Sequence, residues 1–533
     1  MSSADALLPL LIAAPIVMAA VPIALGLWTD RTGWWVAALA TTGLFGATAS
    51  LASAVAESGR VVHVLGGWGE PQGIGIELVA DPFSAVIALL VTLTAAGLLM
   101  YTRTGGPRGN TFYAGYLLLV GGLLGISLTG DVFNLFVFLE ITGLATYAMI
   151  SSGDGPESAV AALKYLILGT VGASLYLIGV GFLFMATGAL NMEVLGAEAI
   201  PAILEAGGRD LTLLRAAFAF VFVGFALKVA QWPLHTWQPD AYQHAPDGIT
   251  PLIAALVSTA YAYALGRVMF TVFGVEFLTT TPYLQEIVVA VGAVSVVAGS
   301  ALAVLQQDVK RMFAYSSVSQ FGLVVAAYGA LTETALVGAV VHLVGHGVMK
   351  AGLFVAVGIV AISYDARTVD EYAGLADDRP FLAGPIALLL AALIGIPPAA
   401  GFVGKWYIAL GAVEAELWPV AGVILLSTML TLAYSARLLE KMYFTPAPSV
   451  ESPGERGVAT DGGERSRSSS EPRSDGGDGD PGILMESDRF RRGSPDDVSI
   501  GMLAALVGAV ALAILLGFAG GLFFEWLEPF TSE

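Results

Sequence analysis

The sequence predicts an all-α polytopic membrane protein of about fourteen transmembrane helices, each able to cross roughly 30 Å of hydrocarbon. Three observations carry that prediction. Of the 533 residues, 56% are hydrophobic and 13% charged, where a soluble domain has about a quarter of its residues charged. Mean hydropathy is +0.77. The apolar residues gather in long runs with no strand-like alternation, and an open sheet cannot satisfy its backbone groups in lipid. This composition excludes a soluble multidomain enzyme, a disordered chain and a disulfide scaffold. There is no cysteine, so the chain itself cannot build a disulfide, an iron–sulfur cluster or a cysteine–zinc site. No cofactor or metal is expected, and any electron carrier would sit on a partner.

The spans fall near 7–29, 33–56, 80–101, 111–130, 131–151, 160–188, 211–231, 249–273, 283–305, 312–331, 334–362, 380–411, 417–443 and 499–523. The first lacks a basic start and opens with Asp5, so it is expected to remain in the mature protein. One set of alternating loops holds Arg31, Arg103, Arg108, Lys310, Arg311, Arg367, Arg379, Arg437 and Lys441, and the other little beyond Arg60, Arg209 and Arg215. The positive-inside rule places the first set in the cytoplasm and both termini outside the cell membrane. Residues 446–498 are rich in Ser, Gly, Pro, Asp and Arg and read as a disordered polar cytoplasmic loop. It is either a docking segment or, more simply, a tolerated insertion.

Net charge is -19, from 43 acidic and 24 basic residues. An acidic exterior almost free of lysine suits a high-salt cytoplasm, so a halophilic source is expected. The same charge argues against a nucleic-acid partner.

A weak internal repeat divides the chain. Residues 1–110 hold the first three helices, 111–273 a first five-helix unit and 283–445 a second. The 446–498 loop and a C-terminal helix and tail (499–533) follow. In each unit the fourth helix carries a breaker and a lysine: Lys228 precedes Trp232-Pro233, and Lys405 follows Gly395-Ile-Pro-Pro. Proline removes a backbone donor. In a membrane such breaks are tolerated where the helix lines a cavity, and paired breaks point to a transport site.

A charge at mid-membrane costs about 2.5–3.5 kcal/mol on insertion scales and needs a reason. Glu140 lies in the middle of the fifth span, Lys228 in apolar Phe225-Ala-Leu-Lys-Val-Ala and Lys405 in Gly401-Phe-Val-Gly-Lys-Trp. Two readings are open: a proton relay, with ionisation tuned by burial and by neighbouring charge, or ion pairs that hold helices together. Three such groups, two of them beside helix breaks, favour the relay. His342, His346 and Lys350 follow at four-residue spacing and form one polar stripe on the eleventh span. Neutral histidine accepts on one nitrogen and donates on the other, which suits proton hopping. Structural hydrogen bonding is the simpler alternative; a zinc site is weaker still, because the HExxH glutamate is absent. His235 and His244, in the polar stretch after the broken seventh span, read either as a proton entrance or as a rigid turn. Lys164 is expected to snorkel to water, Lys310 and Arg311 to act as cytoplasmic anchors, and Arg267 to pair or sit at an interface. No nucleotide-binding motif is found.

Three stretches carry a family resemblance: Lys228-Val-Ala-Gln-Trp-Pro-Leu-His-Thr-Trp-Gln-Pro-Asp-Ala-Tyr-Gln-His-Ala-Pro, Gln307-Asp-Val-Lys-Arg-Met-Phe-Ala-Tyr-Ser-Ser-Val-Ser-Gln and Gly395-Ile-Pro-Pro-Ala-Ala-Gly-Phe-Val-Gly-Lys. Over roughly 80–445 the chain resembles the proton-conducting antiporter-like membrane subunits of respiratory complex I, membrane-bound hydrogenases and Mrp-type sodium/proton antiporters. The resemblance implies fourteen helices with two inverted five-helix repeats and broken helices 7 and 12. It also implies a mid-membrane relay through Glu140, Lys228, His342, His346, Lys350 and Lys405. Partners would be other membrane subunits, and the cargo protons and Na+. The family's usual eighth-helix lysine, eight residues before an arginine, is Thr259 here, counted back from Arg267. A threonine holds no charge, so either water ordered by Ser258, Thr259 and Tyr261 replaces it or the subunit conducts poorly and is a scaffold. Ala162-Leu-Lys-Tyr-Leu-Ile-Leu-Gly-Thr-Val and Ala186-Thr-Gly-Ala-Leu-Asn-Met look most like the D-type chain of Mrp antiporters, a secondary-transporter component. The complex I N-type chain, part of a redox enzyme, is the nearest alternative.

Overall fold

The computed structural model describes residues 4–29, 31–65, 75–107, 109–153, 155–446 and 498–531. The expected polar loop, but for Pro446 and Val498, and Arg108 lie outside the described residues. The helices are α1 (Leu7–Leu25), α2 (Gly33–Ser58), α3 (Pro82–Gly105), α4 (Asn110–Leu128), α5 (Val132–Ser151) and α6 (Pro156–Thr187). The seventh crossing is split into α7a (Gly208–Lys228) and α7b (Trp237–His244). Then come α8 (Thr250–Thr280), α9 (Leu284–Val304), α10 (Val309–Ala330) and α11 (Glu333–Tyr364). The twelfth crossing is split into α12a (Pro380–Ile394) and α12b (Ala400–Glu414), followed by α13 (Trp418–Phe444), α14 (Ile500–Phe518) and α15 (Gly520–Thr531).

Among the described residues, twelve helices are long and apolar enough to cross a membrane. The fourteen expected spans differ from these at two places. The tenth, α10, carries Lys310, Arg311 and a run of serines; it stays helical because nearly every residue faces protein rather than lipid. The twelfth is broken, leaving a 15-residue apolar half. Two elements were not expected: a helical stretch from Met192 to Ala206 before α7a, and an antiparallel hairpin of β1 (Val61–Leu65) and β2 (Ile76–Ala80) between α2 and α3. From β2 the chain enters α3 through a reciprocal cap, in which the Asp81 carboxylate accepts from Ser84 N and Asp81 N donates to Ser84 Oγ.

The central stretches of α8 and α11 are wholly buried, whereas α14 presents most of its surface outward. These two small-residue-rich helices form the axis around which the others pack. α8 is not a regular helix: π-helical turns at Ile253–Val257 and Val268–Phe273 flank its regular segment, Ser258–Arg267. Such turns are rare and recur at functional sites.

The two five-helix units can be aligned by one offset of 177 residues (131 to 308). Asp131 caps α5 by accepting from Asn134 N, and Asp308 caps α10 by accepting from Arg311 N. Each forms an antiparallel bridge to a residue beyond the next helix, Asn191 and Thr368 respectively. α6 and α11 are both 32 residues long. The same offset carries Pro156–Thr187 to Glu333–Tyr364 and Lys228 to Lys405. Five crossings separate α5 from α10, so the units enter from opposite faces.

Glycine seams set the close approaches. A Cβ added at Gly224 of α7a would lie 2.6 Å from the Gly172 carbonyl oxygen of α6, and one at Gly404 of α12b 2.6 Å from His342 Cβ of α11. Small residues let membrane helices pack backbone to backbone. Here they bring the lysine-bearing half-helices against α6 and α11.

Candidate functional site

Both breaks expose helix-end carbonyls that need donors. In the seventh crossing, α7a ends at Lys228, and Gln231 N turns back to the Ala226 carbonyl at 2.8 Å. The Trp237 indole donates to the Leu227 carbonyl at 2.8 Å, and Trp232 N donates to Ser295 Oγ at 3.1 Å. In the twelfth, Lys405 reaches back across the break and donates to the Leu393 and Ile394 carbonyls, both at 3.0 Å. Both lysines thus stand at the negative end of a half-helix, where a cation is favoured. The breaks are not equivalent: Lys228 ends its half-helix, and Lys405 lies inside the half that follows the break.

Lys228 is 4% exposed, with Nζ 3.8 Å from Glu140 Oε1 and 5.2 Å from the centroid of the Tyr261 ring. This ion pair is longer than a direct hydrogen bond, so the two charges attract without being locked together. Gly143, one turn after Glu140, leaves room for the ammonium: a Cβ there would be 3.5 Å from Nζ.

In the second unit, His342 Nε2 meets Gln320 Oε1 of α10 at 2.9 Å. His346 lies against the Phe321 ring at 4.8 Å, and the two imidazoles are 6.4 Å apart, nearly parallel. Lys350 is buried but turns to α10, donating to the Phe313 carbonyl at 2.7 Å and to Ser316 Oγ. Its ammonium sits beside the Phe313 and Phe354 rings. The structure therefore groups Glu140 with Lys228 and His342 with Lys405. Lys350 continues the α11 stripe toward the opposite end of α10.

Between the two groups lie side chains of α7b and α8. Gln238 Nε2 donates to Tyr242 Oη and Ser258 Oγ, both at 3.0 Å. Thr259 is 1% exposed. Among the described residues, its hydroxyl and those of Thr142, Thr146, Tyr165 and Tyr261 are buried and make no well-formed hydrogen bond to protein. Both nitrogens of His346, Nδ1 of His342 and the Gln231 amide are in the same condition. Buried polar atoms without protein partners are the usual ligands of internal water. Sequence reasoning missed Gln320, Gln238 and Tyr165. Gln320 closes the second motif and was legible there as a polar residue in an apolar helix, whereas a buried tyrosine carries no such signal.

Three cations expected at the membrane surface are held in ion pairs at the α7b end. Lys164 does not snorkel freely; it pairs with Asp240 at 2.5 Å. Arg311 pairs with the same carboxylate at 2.7 Å and with Gln243 Oε1 at 2.9 Å. Lys310 is no surface anchor: it is 4% exposed, pairs with Asp247 at 2.8 Å and donates to the Ala245 carbonyl. These carboxylates sit in the Pro-rich stretch, far along the chain from Lys164 and Lys310, so local spacing could not reveal the pairs. Together they pin α7b to α6 and α10. His235 is buried beside the Tyr315 ring. Arg267, as expected, pairs: its partner is Asp81. Asp240→Asn is expected to lower the stability of the purified complex by about 1–2 kcal/mol, read as a lower unfolding temperature, because two cations lose their shared anion while remaining partly solvated.

Comparison with known proteins places this geometry. Residues 129–431 match the family described as NADH:quinone oxidoreductase/Mrp antiporter, TM. The chain is 38% identical over 402 residues to the N-type chain of the NADH-quinone oxidoreductase of Desulforudis audaxviator, covering 74% of this chain and 78% of that protein. It is 29% identical over 395 residues to the D-type chain of the Na+/H+ antiporter of Bacillus subtilis, with the same two coverages. Among solved structures it superposes on a chain of an archaeal membrane-bound sulfane sulfur reductase with TM-score 0.81 and 26% identity, covering 98% of this chain and 97% of that one. On a chain of the Mrp complex of a Dietzia species the TM-score is 0.83 at 24% identity, covering 100% and 97%. This is a multi-pass, antiporter-like membrane subunit of the kind found in Mrp and complex I-type assemblies. The chain belongs to the NADH:quinone oxidoreductase/Mrp antiporter membrane-subunit family.

Proposed function

We propose that this chain is the proton-translocating subunit of a multisubunit monovalent cation (Na+)/proton antiporter in the cell membrane, with both termini outside. The observation that carries the reading is the pair of buried lysines at two broken helices. One is poised 3.8 Å from a carboxylate and the other follows Gly404, the residue packed against His342. A proton reaching Glu140 weakens its attraction for Lys228 and frees that lysine's proton to move toward His342, His346 and Lys405. Lys350 continues the relay at the end of the stripe, where it is buried against Phe313 and Ser316 of α10. Each charge moved is worth about 2.3 kcal/mol per 100 mV of membrane potential.

Thr259 breaks the run of ionisable groups, and its own buried hydroxyl, which makes no hydrogen bond to protein among the described residues, supports a water-bridged step there. Thr259→Val preserves the side chain's shape and removes the hydroxyl. It is expected to slow proton flux by roughly three- to tenfold, the scale of one lost hydrogen bond, with assembly unchanged. Flux equal to wild type would leave the bridge elsewhere.

A second reading has its own support: the N-type relative is more similar in sequence than the D-type antiporter relative, 38% against 29%. On that reading the same path serves a redox-driven pump. Mass spectrometry of the gently solubilised complex, with a flavin and iron assay, separates the two. Small hydrophobic partners without flavin or iron favour the antiporter; flavin and iron–sulfur partners favour the pump.

A further inference from the structure

The offset of 177 residues that superimposes α6 on α11 and Lys228 on Lys405 also carries Tyr165 to His342. Both are the tenth residue of a 32-residue helix. His342 stands against Gly404, next to Lys405 in the chain. Tyr165 occupies the matching place in the first unit. It is 3% exposed, its ring packs edge-on against Trp237 at 5.1 Å, and its hydroxyl is buried. There it faces the Tyr261 and Thr146 hydroxyls within electrostatic reach of Glu140. Tyr261 is the residue whose ring lies under the Lys228 ammonium. The Tyr165 and Tyr261 hydroxyls are both buried and lie near each other, but neither makes a well-formed hydrogen bond to protein among the described residues. A hydroxyl committed to packing alone would be costly in that setting, since an unsatisfied buried hydroxyl costs about 1–3 kcal/mol; Phe would fill the same space without it.

We infer that Tyr165 is the first unit's counterpart of His342: a proton-relay residue joining the Glu140–Lys228 pair to the polar cluster on α8. This rests on the relay reading above. A hydroxyl passes a proton by accepting one on its lone pair from the Lys228 side as it releases its own to Tyr261 or to a bridging water. It ends neutral and chemically unchanged, and no charge remains on α6. Histidine can make the same exchange with its two nitrogens, which is why the two units can hold different residues at one position.

The test compares Tyr165→Phe, Tyr165→His and Lys228→Ala in the complete complex, reconstituted in vesicles, with subunit content checked by gel and potential-driven proton uptake as the readout. Tyr165→Phe keeps the ring and its contact with Trp237 and is expected to lose flux roughly three- to tenfold. Tyr165→His is expected to recover at least half of wild-type flux, a rescue that a packing role would not produce. Wild-type flux in Tyr165→Phe, with Lys228→Ala inactive, overturns this inference and leaves the relay standing. Equal losses in the Phe and His variants also overturn it, because the position then needs a tyrosine's shape. Wild-type flux in Lys228→Ala would overturn the relay reading itself, and this inference with it.

Discussion

Lys228→Ala is expected to abolish proton movement through the chain while the complex still assembles. The ammonium is nearly sealed from the surface, and its counter-charge is Glu140, 3.8 Å away. Removing it takes away the only lysine on α7a and the charge to which Glu140 is coupled. The carboxyl group then sits at mid-membrane without its cation, and a proton held there has no basic group to follow it. A barrier raised by about 2.7 kcal/mol slows a step by roughly a hundredfold, and proton uptake by vesicles should fall at least that far. Assembly should survive, because Glu140 is 27% exposed and can take up a proton instead of remaining a buried anion. Glu140→Gln removes the other half of the pair and should give the same loss.

Lys405→Ala is expected to stop flux as completely, with a second consequence that Lys228→Ala lacks. The Lys405 ammonium is the donor for two carbonyls at the end of α12a. Leaving them unpaired costs about 1–3 kcal/mol, so the unfolding temperature of the purified complex should fall. Lys405→Arg separates the two roles. Guanidinium can supply donors to the same carbonyls, but it is never deprotonated in proteins. Stability should therefore return in the Arg variant while flux does not. Recovery of both would make Lys405 a structural clamp only.

Most of the fold could be read from hydropathy, because lipid leaves so few alternatives to helices. The readable part extends to the breaks: Trp232-Pro233 and Gly395-Ile-Pro-Pro each mark an interruption, and each lies near a buried lysine. What could not be read depends on contacts across the chain. α10 reads as a span in spite of its polarity; what could not be read is that its serines and Lys310 face other parts of the protein, not lipid. Lys164 and Lys310 looked like interfacial charges because Asp240 and Asp247 lie in another part of the sequence. The hairpin at Val61–Leu65 is too short, and too near a span, to stand out. The matching of Lys228 with Lys405 was visible as a shared breaker and lysine, but Tyr165 and His342 share no chemistry that a sequence comparison would pair. Only the helix limits put them at one position. Thr259, the departure from the family pattern, was legible as a gap; that its hydroxyl is buried and makes no hydrogen bond to protein among the described residues required the packing of α8.

The most direct test of a single path through both units is potential-driven proton uptake by vesicles holding the assembled complex. Wild type, Lys228→Ala, Lys405→Ala and the double variant would be compared at equal subunit content. Two lysines in series predict that both single variants and the double variant fall to one common background, since groups that act as a unit are not additive. Wild-type uptake in either single variant, or partial losses that add in the double, would contradict it.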